Sequence, residues 1–176
     1  MSGFTKVDDM IIFAIDPGPE QSGWVLYDTK DNRVLFCGID PNVMLIEMIS
    51  REAMPGRRLV LEMISHYGSG MPVGASVFET CIWMGRFMET WDKDFAMKSN
   101  PDGVASTIKR QIIKTVLCGS ARAKDANVRQ ALLDRFGGDM KTAKGTKAAP
   151  GPLYGVKSHI WSALAVAVAF AERGGV

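Results

Sequence analysis

Residues 10–18 read MIIFAIDPG, an apolar run that stops at Asp16 and is followed at once by Pro17 and Gly18. A short apolar run bounded by turn residues is typical of a buried strand. Residues 58–64, RLVLEMI, have the same character and are interrupted only by Glu62. The sequence therefore predicts two buried strands, each of which carries one acidic side chain.

Further elements follow from the spacing of apolar residues between turns. Residues 23–29 and 33–39 flank a turn-like Lys-Asp-Asn stretch and predict an antiparallel hairpin. The remaining predicted elements are helices over 42–53, 75–91, 104–118, 125–136 and 158–172 (the last capped by Ser158), a short strand over 94–98 and a mobile basic loop over 138–156. This order predicts an α/β domain with a mixed sheet, in which the strand at 58–64 returns to pair with the first.

The length and composition are those of one globular domain. The chain has 176 residues, of which 47% are apolar and 23% charged, and this excludes wholesale disorder. Its three cysteines lie far apart without a CxxC pair, which indicates reduced thiols. The longest apolar run, at 160–171, falls short of the ~20 residues of a membrane span. We therefore expect a soluble cytoplasmic protein, a single domain over 1–176 with no membrane partner.

Positive charge is concentrated in one part of the chain. Residues 98–147 contain eleven Lys and Arg against four acids, a net charge of +7, although the whole chain carries only +2. Such a block indicates a polyanionic partner, or else a solvated helix face with a basic loop. The candidate nucleic-acid contacts are Lys114, Arg122, Lys124, Lys141, Lys144 and Lys147, together with Tyr154, which could stack on a base.

Asp16 and Glu62 are the strongest candidates for chemistry. A carboxylate in an apolar strand must be paired, hydrogen-bonded or bound to metal, because burying a bare charge is costly. If the two strands lie side by side, the two acids meet at one end of the sheet, where Mg²⁺ or Mn²⁺ would relieve their repulsion. The alternative is that Asp16 caps its own turn while Glu62 makes a local salt bridge.

Three more side chains could complete such a site. His159, at the start of the last predicted helix, could bind metal or transfer a proton, or could be a surface or capping histidine. Lys114 and Lys124 could bind a phosphate and stabilise transition-state charge, or could serve only solubility. Asp125, the residue after Lys124, is interpreted as a helix cap rather than a further acid.

Four blocks of the sequence together carry a family resemblance. They are AIDPG and SGWVLYD (14–18 and 22–28), LVLEM (59–63), IIKTVLCGSARAKDANVRQAL (112–132) and SHIWSALAVAVA (158–169). In this order they resemble the RuvC-type Holliday junction resolvases of bacteria and their phages, which belong to the ribonuclease H-like superfamily. The resemblance spans residues 10–172.

The resemblance implies a mixed five-stranded sheet flanked by helices. It also implies a homodimer whose two active sites nick opposing strands of a four-way DNA junction, in a bacterial or phage-infected cell. Asp16 and Glu62 match the carboxylates that hold two Mg²⁺ or Mn²⁺ ions, and His159 falls where the last metal-binding motif begins. Lys124 matches the lysine beside the scissile phosphate, and Lys114 matches a basic DNA contact.

One position departs from the family pattern. Where the last block normally has a second carboxylate, three residues after its first ligand, this chain has Ser162. The leading hypothesis is a metal-dependent endonuclease that resolves four-way or other branched DNA. The alternative is a junction-binding protein of the same fold with weak or no cutting. An actin-like phosphotransferase, which also opens with Asp-x-Gly, is a weaker idea because 176 residues are few for two lobes.

Overall fold

The computed structural model describes residues 9–64, 74–97 and 104–174. Its five strands are β1 (Ile11–Asp16), β2 (Gln21–Asp28), β3 (Arg33–Pro41), β4 (Arg57–Met63) and β5 (Ser106–Lys109). Its helices are α1 (Asn42–Glu52), α2 (Ala75–Met97), α3 (Arg110–Cys118), α4 (Asp125–Arg135), α5 (Met140–Lys144) and α6 (Ile160–Glu172). In these ranges no helix has the length and apolar character needed to cross a bilayer.

The strands form one mixed sheet in the order β3-β2-β1-β4-β5. The hairpin of β2 and β3 is antiparallel, and β2 is also antiparallel to β1. β4 returns to lie parallel to β1, and β5 lies parallel to β4. The predicted five-stranded mixed sheet flanked by helices is confirmed, including the pairing of the strand at 58–64 with the first strand.

Alternate residues of β1 belong to two separate cores. Ile12 and Ala14 pack with side chains of α3, α4 and α6 on one face of the sheet. Phe13 and Ile15 pack with side chains of α1 and α2 on the other face. Because side chains alternate along a strand, Asp16 lies on the same face as Ala14, toward α6.

Two predicted elements differ from the structure around β5. Residues 94–97 are the last turn of α2 rather than part of a strand. The fifth strand lies instead at Ser106–Lys109, inside the predicted helix 104–118, and the helix begins only at Arg110. The β-branched Thr107 and Ile108 pair with Leu61 and Glu62 of β4, so contacts with the sheet outweigh the helical spacing.

The segment before α6 is more ordered than the sequence predicts. The predicted mobile loop 138–156 contains α5 and a bridge between Gly145 and Pro150, and Leu153 is fully buried. Ser158 is not the cap of the last helix, because it has a positive φ of 43° and the helix begins two residues later. His159 occupies the N-cap position, without a capping hydrogen bond from its side chain.

A buried polar network holds the turn that follows Asp16. The Ser22 hydroxyl donates to Asn42 Oδ1 at 2.6 Å, and Asn42 Nδ2 donates to the carbonyl oxygen of Gly18 at 2.9 Å. The Gly18 N–H donates in turn to Ser22 Oγ at 3.1 Å. A side chain at Gly18 would place Cβ 2.4 Å from the Gln21 carbonyl oxygen, so the turn requires glycine there.

We predict that Asn42→Ala lowers the free energy of unfolding by about 1–3 kcal/mol, because the Ser22 hydroxyl loses its acceptor and the Gly18 carbonyl oxygen loses its donor. Urea denaturation would measure the change. Gln111→Ala, at an exposed position of α3, serves as the control and should stay within about 0.5 kcal/mol of the wild type. Equal stabilities of the two variants would contradict the role given to the network.

Candidate active site

The register of the parallel strands brings the two predicted acids side by side. Ile15 of β1 pairs with Leu61 of β4, so Asp16 and Glu62 are the next residues along each strand. Glu62 lies on the same face as Val60, which belongs to the core beneath α6, and Asp16 lies on that face too. Both carboxylates therefore reach the carboxyl end of the sheet on one face.

The two acids line one cavity of about 420 Å³. Its charged lining consists of Asp16, Glu62, Arg110, Lys114 and Asp125. The side chains of Asp16 and Glu62 are only 17% and 14% exposed. The structure thus brings together three predicted site residues, Asp16, Glu62 and Lys114. It adds the charged side chains of Arg110 and Asp125 to them.

His159 lies against Asp16 at the start of α6. Its Nδ1 atom is 3.1 Å from Asp16 Oδ2, and its side chain is 64% exposed. The close approach depends on Gly23, which pairs with Asp16 across β1 and β2. A Cβ at Gly23 would lie 2.7 Å from the backbone of His159, so any other residue there would push the start of α6 away.

Arg110, the first residue of α3, was not among the residues predicted from the sequence. Its Nη1 atom donates to Glu62 Oε2 at 3.0 Å and to Oε1 at 3.3 Å, and it lies 3.4 Å from Ser162 Oγ. Its Nη2 atom lies 2.9 Å from Asp125 Oδ1. The signal that points to Arg110 is its place directly after β5, but the spacing of apolar residues predicts a helix over that strand.

The two predicted lysines occupy different positions. Lys114 Nζ lies 3.4 Å from Asp125 Oδ1 and lines the cavity. Lys124 is the N-cap residue of α4, where its backbone N–H donates to Asn127 Oδ1, and its exposed side chain is not part of the cavity lining. The cap interpretation of Asp125 is therefore wrong: it is the first helical residue, and its carboxylate binds Arg110 and Lys114.

The other predicted nucleic-acid contacts lie outside this cavity. Arg122, Lys141, Lys147 and Tyr154 are exposed. Lys144 is partly buried, and its Nζ lies 6.0 Å from the centre of the Trp161 ring. These residues form no part of the cluster around Asp16, and their role in binding DNA stays a prediction.

Burial dominates the electrostatics of the two central acids. It raises the pKa of Glu62 to about 7, and the nearby charge of Asp16 adds to this shift while Arg110 opposes it. Burial also raises the pKa of Asp16, against the lowering effects of His159, Arg110 and Ser162. The hydrogen bond from Arg110 lowers the pKa of Asp125. Asp16 and Glu62 thus repel each other in a poorly solvated place.

This donor set fits a hard divalent cation. Carboxylate oxygens are the ligands that Mg²⁺ and Mn²⁺ prefer. A cation would compensate the burial of Glu62, which is the main cause of its raised pKa, and would relieve the repulsion from Asp16 that adds to it. Within the described ranges, however, no three His, Cys, Asp or Glu side chains form a group arranged to hold a metal ion. The ligand set of Asp16, Glu62 and His159 therefore stays a prediction.

The sheet order, with its helices on both faces, defines a ribonuclease H-like domain. No protein-family model matches the chain, and neither does any curated protein. Several solved structures are similar to it, and two of them match along nearly their whole length. One is RuvC of Thermus thermophilus, with a TM-score of 0.57, 17% identity, and 93% of this chain and 94% of that one covered.

Another similar structure is T. thermophilus RuvC in complex with a Holliday junction substrate. It has a TM-score of 0.61 and 17% identity, and the match covers 94% of this chain and 95% of that one. At this identity the likeness concerns the fold. The resemblance to the RuvC-type Holliday junction resolvases is thus confirmed in the fold, which is of the RuvC type.

The raised pKa of Glu62 predicts a pH dependence of stability in the presence of a chelator. Because the folded protein holds this proton up to about pH 7 and the unfolded chain releases it near 4.5, stability should fall as the pH rises between these values. Thermal unfolding across this range should show the fall in the wild type and a flatter profile for Glu62→Gln.

Glu172→Gln is the control for this experiment. It removes a carboxylate that binds Arg135 through two hydrogen bonds outside the cavity. Its pH profile should have the slope of the wild type. If Glu62→Gln has that slope too, then burial of Glu62 does not govern the pH dependence.

Proposed function

We propose that this protein is a metal-dependent endonuclease that resolves four-way or other branched DNA by paired hydrolysis of phosphodiester bonds. The observation that carries the proposal is the pair Asp16 and Glu62, side by side in a cavity with Lys114. A fold shared with RuvC, which has been solved with a Holliday junction substrate, supports it. A bacterial or phage-infected cell is the setting that this function implies.

The side chains of the cavity can be assigned roles in this reaction. Mg²⁺ or Mn²⁺ held by Asp16 and Glu62 would supply a Lewis acid and an activated water. Lys114 presents a positive charge that can bind the scissile phosphate and stabilise the charge that develops on it. His159 is oriented by Asp16 and largely exposed, so it can exchange a proton with a reacting oxygen or with solvent.

The basic residues outside the cavity, together with Tyr154, are proposed to bind the arms of the DNA. Lys124, at the start of α4, is next to Asp125 of the cavity and is proposed to contact the phosphate backbone near the cut. Arg122, Lys141, Lys144, Lys147 and Tyr154 would extend this contact. The five basic residues among them belong to the eleven Lys and Arg that give residues 98–147 a net charge of +7. Such phosphate contacts make binding depend on salt concentration.

We expect cutting of a labelled four-way junction in Mg²⁺ or Mn²⁺, with paired nicks, and little cutting of a matched linear duplex. Asp16→Asn should lower the nicking rate by about 100-fold or more, since metal chemistry contributes several kcal/mol to the barrier. Junction binding by this variant, measured by gel shift, should change little.

Asp134→Asn is the matched control, because it removes an exposed carboxylate of α4 that accepts a hydrogen bond from Gln130. It should cut like the wild type. Nicking that survives Asp16→Asn unchanged would refute the assignment of the active site. Tight junction binding without any nicking would favour the second candidate function, a junction-binding protein. The neutral Ser162 in contact with Arg110 supports that candidate.

A homodimer is proposed because opposing strands of a junction require two active sites. Phe78 and Ile82 lie one turn apart on α2 and are 61% and 63% exposed. Residues four apart share one helix face, so these side chains form an apolar patch that a second copy of the chain would bury. A closed two-fold dimer would use the same patch on both subunits.

Ile82→Glu is therefore expected to convert the dimer to a monomer, because it places two charges in the buried patch. Size-exclusion chromatography with light scattering would measure the mass. Phe36→Glu, at a position of the edge strand β3 that is 67% exposed, is the control and should remain dimeric. A monomeric Phe36→Glu together with a dimeric Ile82→Glu would move the interface to the edge of the sheet.

A further inference from the structure

Arg110 is a fixed cation between the acids of the cavity. Its guanidinium group binds Glu62 through Nη1 and Asp125 through Nη2, and its side chain is only 20% exposed. Both oxygens of Glu62 lie within 3.3 Å of Nη1. A guanidinium group cannot lose its charge at ordinary pH, so this cation is permanent.

The charges of the cavity favour a single divalent ion. Three carboxylates, Asp16, Glu62 and Asp125, face two cations, Arg110 and Lys114. With all five groups ionised, as a bound metal ion requires of the carboxylates, their net charge is −1. One divalent ion would bring this total to +1. A second ion would raise it to +3 beside Asp16, Glu62, Arg110 and Lys114, whose side chains are at most 20% exposed, so like charges there repel strongly.

Ser162 also disfavours the binding of a second metal ion. The family pattern places a carboxylate at this position, whereas here a neutral hydroxyl lies 3.4 Å from Arg110 Nη1. The chain therefore has a neutral side chain where that pattern has an anion, and the permanent cation of Arg110 lies beside it. A second metal ion would have fewer ligands here and would meet a positive charge already in place.

We propose that Arg110 takes the place of one of the two metal ions that the resemblance implies, so that the protein binds one divalent ion through Asp16 and Glu62. The inference rests on the proposed nuclease function, since it describes the metal content of that site. In this arrangement Arg110 holds Glu62 in position and supplies the positive charge that a second ion would otherwise bring.

The test counts Mn²⁺ ions bound by the full chain without DNA, by isothermal titration calorimetry and by electron paramagnetic resonance of free Mn²⁺. The wild type should bind one ion. Arg110→Met keeps much of the side-chain volume but removes the charge, so it should bind two ions, the first at least about tenfold more tightly than in the wild type. Arg110→Lys retains the charge and should bind one.

Arg135→Met is the matched control, because it also removes an arginine that binds a carboxylate, Glu172, through two hydrogen bonds. It should bind one ion with wild-type affinity. In a chelator, Arg110→Met should melt at a lower temperature than Arg135→Met, since the buried Glu62 loses its counter-ion and Asp125 keeps only Lys114. Saturating Mn²⁺ should remove most of that difference.

Two ions, or none, in the wild type would overturn the inference, and this count does not depend on any variant folding. A single ion in Arg110→Met with a wild-type circular dichroism spectrum would overturn it as well. The nicking assay is a separate readout. If the wild type cuts junctions with two ions bound, the proposed function stands and the inference fails. If it binds one ion but does not cut, the inference stands and the proposed function fails.

Discussion

The parallel pairing of β1 with β4 is the constraint on which the rest of the site depends. It places Asp16 and Glu62 next to each other at the end of two buried strands, where neither is well solvated. Two such carboxylates are unfavourable unless positive charge or hydrogen-bond donors compensate them. Arg110 and His159 provide that compensation, and each comes from the start of a helix that packs on the same face of the sheet.

Contacts on both faces of the sheet hold Asp16 in position. On the side of α1, the buried Asn42 and Ser22 hold the turn that follows it. On the side of α6, Gly23 leaves the space that His159 occupies. Because these contacts come from β2 and from two different helices, the position of the carboxylate is a property of the whole domain. This explains why a structural residue such as Asn42 bears on the proposed chemistry.

The sequence predicts Asp16, Glu62 and most of the sheet because an acid in an apolar run is conspicuous and strand periodicity is local. It does not predict β5, which becomes a strand only through its pairing with β4. The sequence does not point to Arg110 for the same reason, since β5 is the element that brings Arg110 to the end of the sheet beside Glu62. Lys124 shows the converse: its place in a motif is evident, yet its side chain lies outside the cavity lining. Local sequence patterns do not predict residues whose role depends on tertiary contacts.

The late position of α6 in the chain has a consequence for biosynthesis. Residues 160–172 cover one face of the sheet, and they leave the ribosome after all five strands have been made. Until then only segments made earlier, α3 and α4 among them, can cover this face, the residues that pack against α6 lack that cover, and Asp16 has neither His159 nor Ser162 beside it. A nascent chain without α6 therefore exposes apolar surface that can aggregate, and its site is incomplete. Docking of the alanine-rich α6 buries that surface and completes the site in one step.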